Sequence, residues 1–549
     1  MSLLGLFDIG RSGIYANQLA LRVSSNNIAN VNTPGYSRQD VIMQIANPVT
    51  ISGKHIGRGV GDVEIRRFFD NFTFHQILGQ SNNYGRSDSL DRSLSHIEQI
   101  FNEAQGFGLS NTMKEYFNAW QEVATNPDES AQRSTLLVKA EGFVNTVKQM
   151  ESDIKDTLTF INDEVGDAVK QINVLAENIA EVNGKIMEVE AGGVEPANVF
   201  RDQREKMMKD LSQLIDYDWH EDKDGTVTIV AGRGAIVAGV EHYDMSSALN
   251  LEGDRDVYLH DVNVTSFISG GELGGYISVR DDIKSNSLNN LRTLVASIIQ
   301  ETNDLHYNNG YDLDGNTNIN FFDPLQLYTR DDSTGGSSAR ITSSSITDQS
   351  PSALSLNEYD IVFTDATTYE VRDHATGAAL SPAVTGVYDP LGTTITFNGI
   401  QIDIAGTAAA GDTFFVSPLK NAIANFGVAI TDGRQVAAAS SASTLPGDNS
   451  NALDIVSLNS SNVTNLNGDS FNDYYSEIVS TAGSLSQAAS DSLEFDNNLL
   501  FELNNRRESV SGVSLDEEAA NLIRYQRAFE AGARIIKLTD DLLEMIINL

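Results

Sequence analysis

The chain has 549 residues, of which 40% are hydrophobic, and its formal net charge at pH 7 is -39. A chain of this length is too long for one hydrophobic core, so we expect about three or four domains. The acidic charge argues against nucleic acid or an anionic membrane surface as a partner, because either would require a basic face. There is no cysteine, which excludes disulfides, thiolate metal sites and a cysteine nucleophile.

The N-terminus does not have the pattern of a secretory signal peptide. The first basic residue is Arg11, and no long apolar region with a small-residue cleavage site follows it. No segment reaches the roughly 18 to 20 apolar residues of a membrane span. We therefore expect neither a cleaved signal peptide nor a transmembrane helix.

The first predicted element is a helix with a heptad stripe, which indicates a partner helix. The flanking positions are polar, and a short helix with a half-polar seam is marginal in water. The first 45 residues carry a net charge of about +1, so repulsion is low where close packing is needed. The stripe consists of Phe7, Ile14, Leu21 and Ile28.

A turn is predicted to end this helix. Pro34 fixes its own φ and biases Thr33 away from the α region, and Gly35 tolerates a positive φ. This pattern is typical of a type II turn. The whole segment is Ala29-Asn30-Val31-Asn32-Thr33-Pro34-Gly35-Tyr36-Ser37-Arg38-Gln39.

Extended and then helical segments follow the turn. Residues 41–74 are predicted as a β-hairpin-like connector, and helical spacing begins at about Ser87. The longest helix has apolar residues in steps of three and four from Ala140 to Val189. Gly192-Gly193 should end it, and a returning helix is expected over residues 198–214.

Two stretches are predicted to be rich in strands. Asp224-Gly225 opens the first, and helical spacing returns from Gly274 to His306. The second lies within residues 331–469, where 15 acidic residues stand against 4 basic ones. Alternation over residues 359–363 and 394–397 predicts strands of an inserted β domain there. Helices should resume after about Asn451.

The last predicted helix is similar to the first. Ser514 with Glu517 three residues later forms a capping box, and the acidic first turn suits the helix dipole. Its apolar residues also recur every seventh position, so we expect the two terminal helices to form one seam. They are Leu515, Leu522, Phe529, Ile536 and Leu543.

Patterns for catalysis or metal binding are weak. The sequence contains no H-E-x-x-H, G-x-S-x-G or G-x-x-x-x-G-K-[ST] motif. Asp312, Asp314 and Asn316 begin like a calcium loop, but Thr317 stands where the tight turn needs glycine, which favours a surface turn. Trp120 is interpreted as part of a core face. We predict no enzymatic activity, no cofactor and no metal.

Both ends of the chain resemble signatures of one family. The segment from Ala29 to Gln39 resembles the N-terminal signature of the bacterial flagellar axial proteins, which include rod, hook and hook-associated proteins. The segment Ser511-Gly512-Val513-Ser514-Leu515-Asp516-Glu517-Glu518-Ala519-Ala520-Asn521-Leu522 is similar to the C-terminal signature of the hook-associated members. The resemblance implies a structural component of the extracellular bacterial flagellum, forming the junction between hook and filament. It also implies export through the flagellar type III apparatus without a cleaved signal peptide.

The resemblance further implies a set of partners. These are other copies of the chain, in a ring or short helical tube, the hook protein, the second hook-filament junction protein and a cytoplasmic export chaperone on the C-terminal helix. We expect no nucleic acid and no membrane as partners. The alternative within the family is a flagellar hook or rod structural protein. An alternative from another class is an enzyme inserted within residues 331–469, where His374 is the only histidine.

Together these patterns predict a mainly α fold with inserted β domains. The N- and C-terminal helices are paired as a coiled coil, beside a long helical rod domain and two outer β-rich domains. The domains are 1–45 with 511–549 (terminal coiled coil), 46–215 with 272–320 and 421–510 (helical rod), 216–271 (small β domain) and 321–420 (inserted β domain).

The predicted subunit contacts lie on the terminal helices and the turn, and we expect the terminal helices to fold on assembly. In an isolated chain, residues 1–35 and 520–549 should then show fast amide exchange. The residues assigned to these contacts are Phe7, Ile14, Leu21, Ile28, Asn30, Asn32, Pro34, Gly35, Tyr36, Leu515, Leu522, Phe529, Ile536 and Leu543.

Overall fold

The computed structural model describes residues 3–51, 54–102, 108–192, 196–333 and 337–548. Helices dominate both ends of the chain, and strands are concentrated in its middle. No helix in these ranges is long and apolar enough to cross a membrane. The helices are α1 (Leu3–Ala29), α2 (Asn71–Phe101), α3 (Leu109–Thr125), α4 (Ser130–Glu190), α5 (Asn198–Leu214), α6 (Gly271–Asp282), α7 (Asn289–Asp304), α8 (Ser450–Ser457), α9 (Phe471–Ser511) and α10 (Leu515–Ile547).

The strands follow the two predicted stretches, with a small set near the N-terminus. They are β1 (Gln39–Ile45), β2 (Val49–Ile51), β3 (Lys54–Ile56), β4 (Val60–Arg67), β5 (Asp218–Glu221), β6 (Val227–Ala231), β7 (Gly234–Ala238), β8 (Glu241–His242), β9 (Met245–Leu249), β10 (Arg255–Leu259), β11 (Val262–Asn263), β12 (Tyr328–Asp332), β13 (Arg340–Ile346), β14 (Tyr359–Asp365), β15 (Thr368–Asp373), β16 (Thr385–Val387), β17 (Thr393–Phe397), β18 (Ile400–Ala405) and β19 (Thr413–Ser417). The predicted mainly α fold with inserted β elements is confirmed.

The chain divides into two compact units. Unit 1 contains Met1–Arg92, Ile161–Ser278 and Ala488–Leu549, and unit 2 contains Ser93–Phe160 and Val279–Gln487. Each unit therefore gathers segments that are far apart in the sequence. The four domain ranges given above stay a prediction.

Two helices were predicted closely from spacing alone. Helix α4 runs unbroken for 61 residues, because its three-four apolar pattern contains no proline and buries one face throughout. Helix α5 has the bounds expected for the returning helix. Gly193, which was assigned to the break between them, lies outside the described residues.

Helix α2 begins at Asn71, so the predicted start near Ser87 is wrong. The helix is capped by Asp70, whose carboxylate accepts hydrogen bonds from the amide of Phe72 (3.1 Å) and the hydroxyl of Thr73 (2.5 Å). Such a cap satisfies backbone donors that a helix start leaves free. It fixes the start of the helix at the end of β4.

Glycines weakened the helical pattern in the early part of α2. Glycine lowers helix propensity, and this part contains both Gly79 and Gly85. A Cβ on Gly85 would collide with the carbonyl oxygen of Gln213 at the end of α5. Glycine is therefore required here by the close approach of two helices.

The sheets of unit 1 are small and antiparallel. Strand β1 pairs with β4 and β2 pairs with β3, which gives the predicted hairpin-like connector. The later strands form a four-stranded sheet in the order β5-β6-β7-β8 and a three-stranded sheet in the order β11-β10-β9.

Unit 2 contains two antiparallel sheets, in the orders β12-β19-β14-β15-β16 and β13-β18-β17. Alternate residues of β14 and β18 are buried, as expected for strands with one face in a core. The rings of Tyr359 and Phe397, one from each sheet, meet edge to face with centroids 5.1 Å apart. The predicted strands over residues 359–363 and 394–397 are confirmed by β14 and β17.

The helical core of unit 2 is built around Trp120 of α3, which is fully buried. The ring of Phe321 lies 5.2 Å from that of Trp120 and 6.0 Å from that of Tyr116, measured between centroids. Phe117 stacks on Phe471 at 6.1 Å. The interpretation of Trp120 as part of a core face is confirmed.

The segment that begins like a calcium loop forms a turn. Oδ1 of buried Asp312 accepts the amides of Asp314 (2.9 Å) and Asn316 (2.8 Å), and Oδ2 accepts the side-chain amide of Asn316 (3.0 Å). Asp314 is ion-paired with Arg434. These carboxylates therefore have partners from the chain itself. In the ranges that the structure describes, no group of three or more His, Cys, Asp or Glu side chains could hold a metal ion.

His306 is fully buried beside the Trp120 core. Its Nδ1 lies 2.7 Å from the carbonyl oxygen of Ile319, and its Nε2 accepts the amide of Ala437 at 2.9 Å. These two contacts require a neutral ring with its proton on Nδ1. Burial lowers the pKa of His306 from its ordinary value to about 4.

We expect this histidine to make the stability of unit 2 depend on pH. Between about pH 6.5 and pH 4 the unfolded chain binds the proton and the folded chain does not. The contribution of neutral His306 to the free energy of unfolding is therefore complete above pH 6.5 and is lost as the pH falls toward 4. Relative to His306→Gln, the wild type should lose roughly 3 kcal/mol of unfolding free energy over this interval. This loss is measured by denaturant unfolding of both proteins at each pH, followed by Trp120 fluorescence in a Trp219→Phe background.

The comparison with His306→Gln also removes a competing effect. Burial raises the pKa of Glu301 to about 7, so this carboxyl favours folding at low pH. Both proteins keep Glu301, and its contribution cancels in the difference. A difference in unfolding free energy that is the same at pH 7 and pH 4.5 would contradict the role given to His306.

Candidate assembly interface

Helices α1 and α10 pack against each other within unit 1. A Cβ on Gly10 would lie 2.9 Å from Cγ1 of Ile536, and Ala20 and Val23 share a buried cluster with Tyr525. Rising residue numbers in α1 thus meet falling numbers in α10. The helices are antiparallel, and the predicted pairing of the terminal helices is confirmed.

The centre of this pair is formed by small and polar residues. Small side chains allow two helix axes to approach closely. The buried positions of α10 recur every seventh residue, three residues after the first four members of the predicted heptad. They are Gly10, Ala16, Ala20, Val23, Ser24 and Asn27 on α1, and Glu518, Tyr525, Gly532 and Thr539 on α10.

The predicted heptad residues flank this centre. Ile14 and Ile536 contact the facing helix at Gly532 and Gly10. Phe7 and Leu515 are exposed. The role of all the predicted heptad residues in contacts between subunits stays a prediction. The half-buried members are Ile14, Leu21, Ile28, Leu522, Phe529, Ile536 and Leu543.

Each helix of the pair also has a face directed away from its partner. On α1 it carries apolar and basic side chains, and Leu4 and Tyr15 are 69% and 64% exposed. On α10 it carries apolar side chains and charged side chains of both signs, and Leu538 and Met545 are each 61% exposed. The outward face of α1 is Leu4, Phe7, Arg11, Tyr15, Gln18 and Arg22; that of α10 is Ile523, Arg527, Glu530, Arg534, Leu538, Asp541 and Met545.

The turn after α1 has the predicted type. Gly35 has φ +86°, and the amide of Tyr36 donates to the carbonyl oxygen of Thr33 at 3.2 Å. These values fit a type II turn with Pro34 and Gly35 at its centre. Among the other predicted residues, Asn30 accepts the Thr33 hydroxyl at 3.1 Å, and Asn32 and Pro34 are exposed.

Asn27 fixes the chain as it leaves the turn. Its side-chain amide donates to the carbonyl oxygen of Gln39 at 2.8 Å, and its Oδ1 accepts the Gln39 amide at 3.0 Å. The hydroxyl of Tyr36 donates to the same Oδ1 at 2.8 Å. The last turn of α1 and the start of β1 are thus joined by a fully buried side chain.

Arg38 joins this turn to the start of α10. Its Nε donates to Glu518 at 2.9 Å and its Nη1 to Glu517 at 2.8 Å. The Glu518 side chain is only 2% exposed, whereas that of Glu517 is 61% exposed. The Glu517 amide donates to the hydroxyl of Ser514 at 3.5 Å, which is the N-cap half of the predicted capping box, and the Glu517 carboxylate is bound by Arg38. Glu518 is therefore an ion-pair partner of Arg38, in addition to its place near the helix N-terminus.

Helices α5 and α9 bind the turn from the other side. Asp202 of α5 accepts the amide of Ser37 at 3.0 Å, and Arg507 of α9 donates to the carbonyl oxygen of Gly35 at 2.9 Å. Burial, with help from the negative charge of Asp202, raises the pKa of Tyr36 to about 12. The phenol therefore stays neutral and keeps its hydrogen bond to Asn27. We call Asn27, Tyr36, Arg38, Asp202, Arg507 and Glu518 the turn cluster.

Five members of the turn cluster were not predicted as site residues: Asn27, Arg38, Asp202, Arg507 and Glu518. Arg38 and Glu518 lie inside the two signature segments, but their ion pair joins positions 480 residues apart. Asn27 stands next to the heptad residue Ile28, where a buried amide has no apolar signal. Asp202 and Arg507 lie on other helices, and their partners are far away in the sequence. Periodicity could not have indicated these residues; only a resemblance of the surrounding sequence to a known family could have done so.

Family models match both ends and the central part of the chain. A model described as "Flagella basal body rod protein" matches residues 7–36, and "Flagellar basal body rod FlgEFG protein C-terminal" matches residues 507–549. A third, "Flagellar hook-associated protein FlgK helical domain", matches residues 94–322. The two terminal matches cover the helix pair described above.

Similarity to one kind of protein extends over the whole chain. Flagellar hook-associated protein 1 of Escherichia coli (strain K12) is 28% identical over 558 residues, covering 99% of each chain. The chain is a full-length homologue of flagellar hook-associated protein 1. The hook-associated protein 1 of Bacillus subtilis (strain 168) is 25% identical over 554 residues, covering 98% of this chain and 97% of its own. The chain is therefore a structural component of the flagellum, as the two signatures predicted.

A solved relative has the same fold. The flagellar hook junction protein FlgK from Burkholderia pseudomallei superimposes with a TM-score of 0.68 at 18% identity. The match covers 79% of this chain and 100% of that chain. The fold of hook-associated protein 1 is thus shared at a low level of sequence identity.

We expect Arg38→Ala to loosen the start of α10. Without Arg38 the carboxylate of Glu518 is buried and uncompensated, which costs about 3 kcal/mol or more. Amide exchange over residues 511–525 of the full chain should therefore accelerate by on the order of a hundredfold.

Glu517→Gln is the matched control, because it removes the exposed partner of the same arginine. Exposed ion pairs contribute less than about 1 kcal/mol. Exchange should then change by only a few-fold. Equal effects of the two substitutions would show that burial of Glu518 is not what holds this segment.

Proposed function

We propose that the chain forms the junction between hook and filament by assembling with copies of itself through its terminal helix pair. The observation that carries this proposal is the exposure of apolar side chains on both outward faces of the pair. Single exposed apolar residues are ordinary, but rows of them along two adjacent helices are typical of an interface. Full-length homology to hook-associated protein 1 supports the assignment to the hook-filament junction.

A second copy of the chain is the occupant that these faces fit best. The outward face of α1 carries Arg11, which also pairs with Asp8 of its own helix at 3.6 Å, and Arg22, whereas that of α10 carries Glu530 and Asp541 together with Arg527 and Arg534. The outward face of α1 in one copy can therefore meet that of α10 in the next through apolar contact, and charges of opposite sign are available on the two faces. Such a contact joins two different surfaces, so it continues into a ring or helical tube.

The pair is attached to the body of unit 1 through the turn cluster and through α1, whose Ser12 hydroxyl accepts the amide of Val60 at 3.2 Å. The turn cluster holds the end containing Asn27 and Glu518 by buried hydrogen bonds and an ion pair. At the other end, Leu4 and Ile547 are 69% and 80% exposed. Helices that bury so little apolar surface are marginal in water. We propose that this free end becomes ordered when neighbouring copies cover it.

This proposal predicts a gradient of amide exchange along the pair. In a dilute chain, amide exchange should be fast at the free end, over residues 3–9 and 537–548, and slow near the turn cluster. The expectation from sequence, of fast exchange over residues 1–35 and 520–549, is thereby narrowed. In assembled protein the free end should be protected by at least about tenfold more. Equal protection of the free end in the dilute and assembled states would count against folding on assembly.

The remaining assignments rest on homology to hook-associated protein 1. We propose export through the flagellar type III apparatus, an extracellular position in the flagellum, and contacts with the hook protein and the second junction protein. The outward face of α10 is the proposed binding site of a cytoplasmic export chaperone, because it would shield the same apolar side chains before export. We propose no enzymatic role, and neither nucleic acid nor membrane as a partner.

Complementation tests the proposed function. A strain that lacks its hook-associated protein 1, and secretes flagellin without growing a filament, should recover filaments when this chain is supplied. Leu538→Asp should abolish recovery while the exported chain stays folded, because it introduces a charge into the proposed interface. The control is Leu391→Asp, which changes a leucine of unit 2 that is 94% exposed. Failure of the wild type, together with rescue of a hookless strain, would instead favour a hook or rod protein.

A further inference from the structure

Two glycines mark the closest approach of α1 and α10. A Cβ on Gly10 would lie 2.9 Å from Cγ1 of Ile536 and 3.5 Å from the carbonyl oxygen of Gly532. A Cβ on Gly532 would lie 2.9 Å from Cγ1 of Ile14 and 3.5 Å from the carbonyl oxygen of Gly10. The contact is thus reciprocal, and each glycine faces the backbone of the other. We call it the glycine crossing.

Neither glycine has a local reason to be there. Both lie within regular helices, and neither has a positive φ that would favour glycine. In a helix interior glycine is among the least favourable residues, because it loses the most backbone freedom on folding. The reason must therefore come from the contact between the helices. Gly13 provides a contrast, since a Cβ there would have no atom within 4 Å.

We infer that the glycine crossing sets the register of the terminal helix pair and makes each helix weak unless it is paired in that register. The inference deepens the proposed function. It rests on that function only because it takes the terminal helix pair to be the element that assembles. The contact itself lies within one chain.

The sequence around the crossing rejects other registers. Gly532 lies between Ala531 and Ala533, so a slip by one residue brings a Cβ against Gly10. A slip by one heptad replaces Gly532 by Tyr525 or Thr539, which are larger still. Apolar heptads alone allow such slips, because every heptad offers a similar surface. One position that accepts no side chain removes this ambiguity.

The same glycines keep the helices from forming independently. Each lowers the helix propensity of its own segment, and the apolar contact that offsets this loss exists only in the pair. A terminal helix is therefore disfavoured alone and favoured when correctly paired. The crossing lies between the turn cluster and the free end, so it controls the part that the turn cluster does not hold.

Three single substitutions in the full chain test the inference, with short-pulse amide exchange of α1 and α10 as the readout. Gly13→Ala is the matched control: it adds a methyl group to open space and should slow exchange of α1 roughly fivefold through helix propensity. Gly10→Ala and Gly532→Ala bring the same gain in propensity but also a collision. They should accelerate exchange several-fold in both helices, including the one that is not mutated.

A compensating substitution separates the collision from any other effect. The methyl group of Gly10→Ala meets the side chain of Ile536, so Ile536→Ala removes the obstacle. In the Ile536→Ala background, Gly10→Ala should no longer accelerate exchange and should slow it as Gly13→Ala does. The double-mutant cycle measures the coupling directly.

The inference is overturned if Gly10→Ala, Gly532→Ala and Gly13→Ala all slow exchange, or if all leave it unchanged. It is also overturned if each substitution affects only its own helix. None of these outcomes depends on assembly, because the dilute chain is measured. Failure of complementation by the wild type would count against the proposed function alone.

Discussion

The terminal part of unit 1 depends on the buried charge of Glu518. A carboxylate removed from water destabilises a fold unless a cation compensates it, and that cation, Arg38, is 480 residues away in the sequence. Neither the signature turn nor the start of α10 can therefore hold this conformation alone. The same turn is bound by Asp202 and Arg507. The two ends of the chain are thus joined by contacts that are separate from the packing between α1 and α10.

The helix pair beyond this joint is built with opposite preferences. Its centre is mostly small or polar, with Val23 and Tyr525 as its larger apolar members, whereas Leu4, Leu538 and Met545 face away from it. A pair designed to be stable alone would place its largest apolar residues at the centre. In this pair the two helix axes approach closely, but the contact buries little apolar area. The resulting pair is specific but weak, which suits an element that neighbouring copies complete.

Periodicity predicted the long helices and the pairing of the chain ends, because α4 and the terminal heptads repeat one spacing over many turns. It did not predict the centre of the terminal pair. Gly10, Gly532 and Thr539 carry no apolar signal, and their burial follows from the facing helix. The start of α2 was missed for a related reason, since Gly85 serves a contact with Gln213 that lies far along the chain. The signature segments identified the turn, but the residues that bind it could be identified only from contacts in the structure.

The antiparallel direction of α1 and α10 has a consequence for the two chain termini. Gly10 lies beside Ile536, so residues before the one and after the other occupy the same free end. A protease that trims a few residues from either terminus would remove material from one common site. A peptide tag inserted before α1 would compete for the same space as a tag inserted after α10. Leu3, which begins α1, and Ile547, which ends α10, are far apart in sequence but lie at the same end of the helix pair.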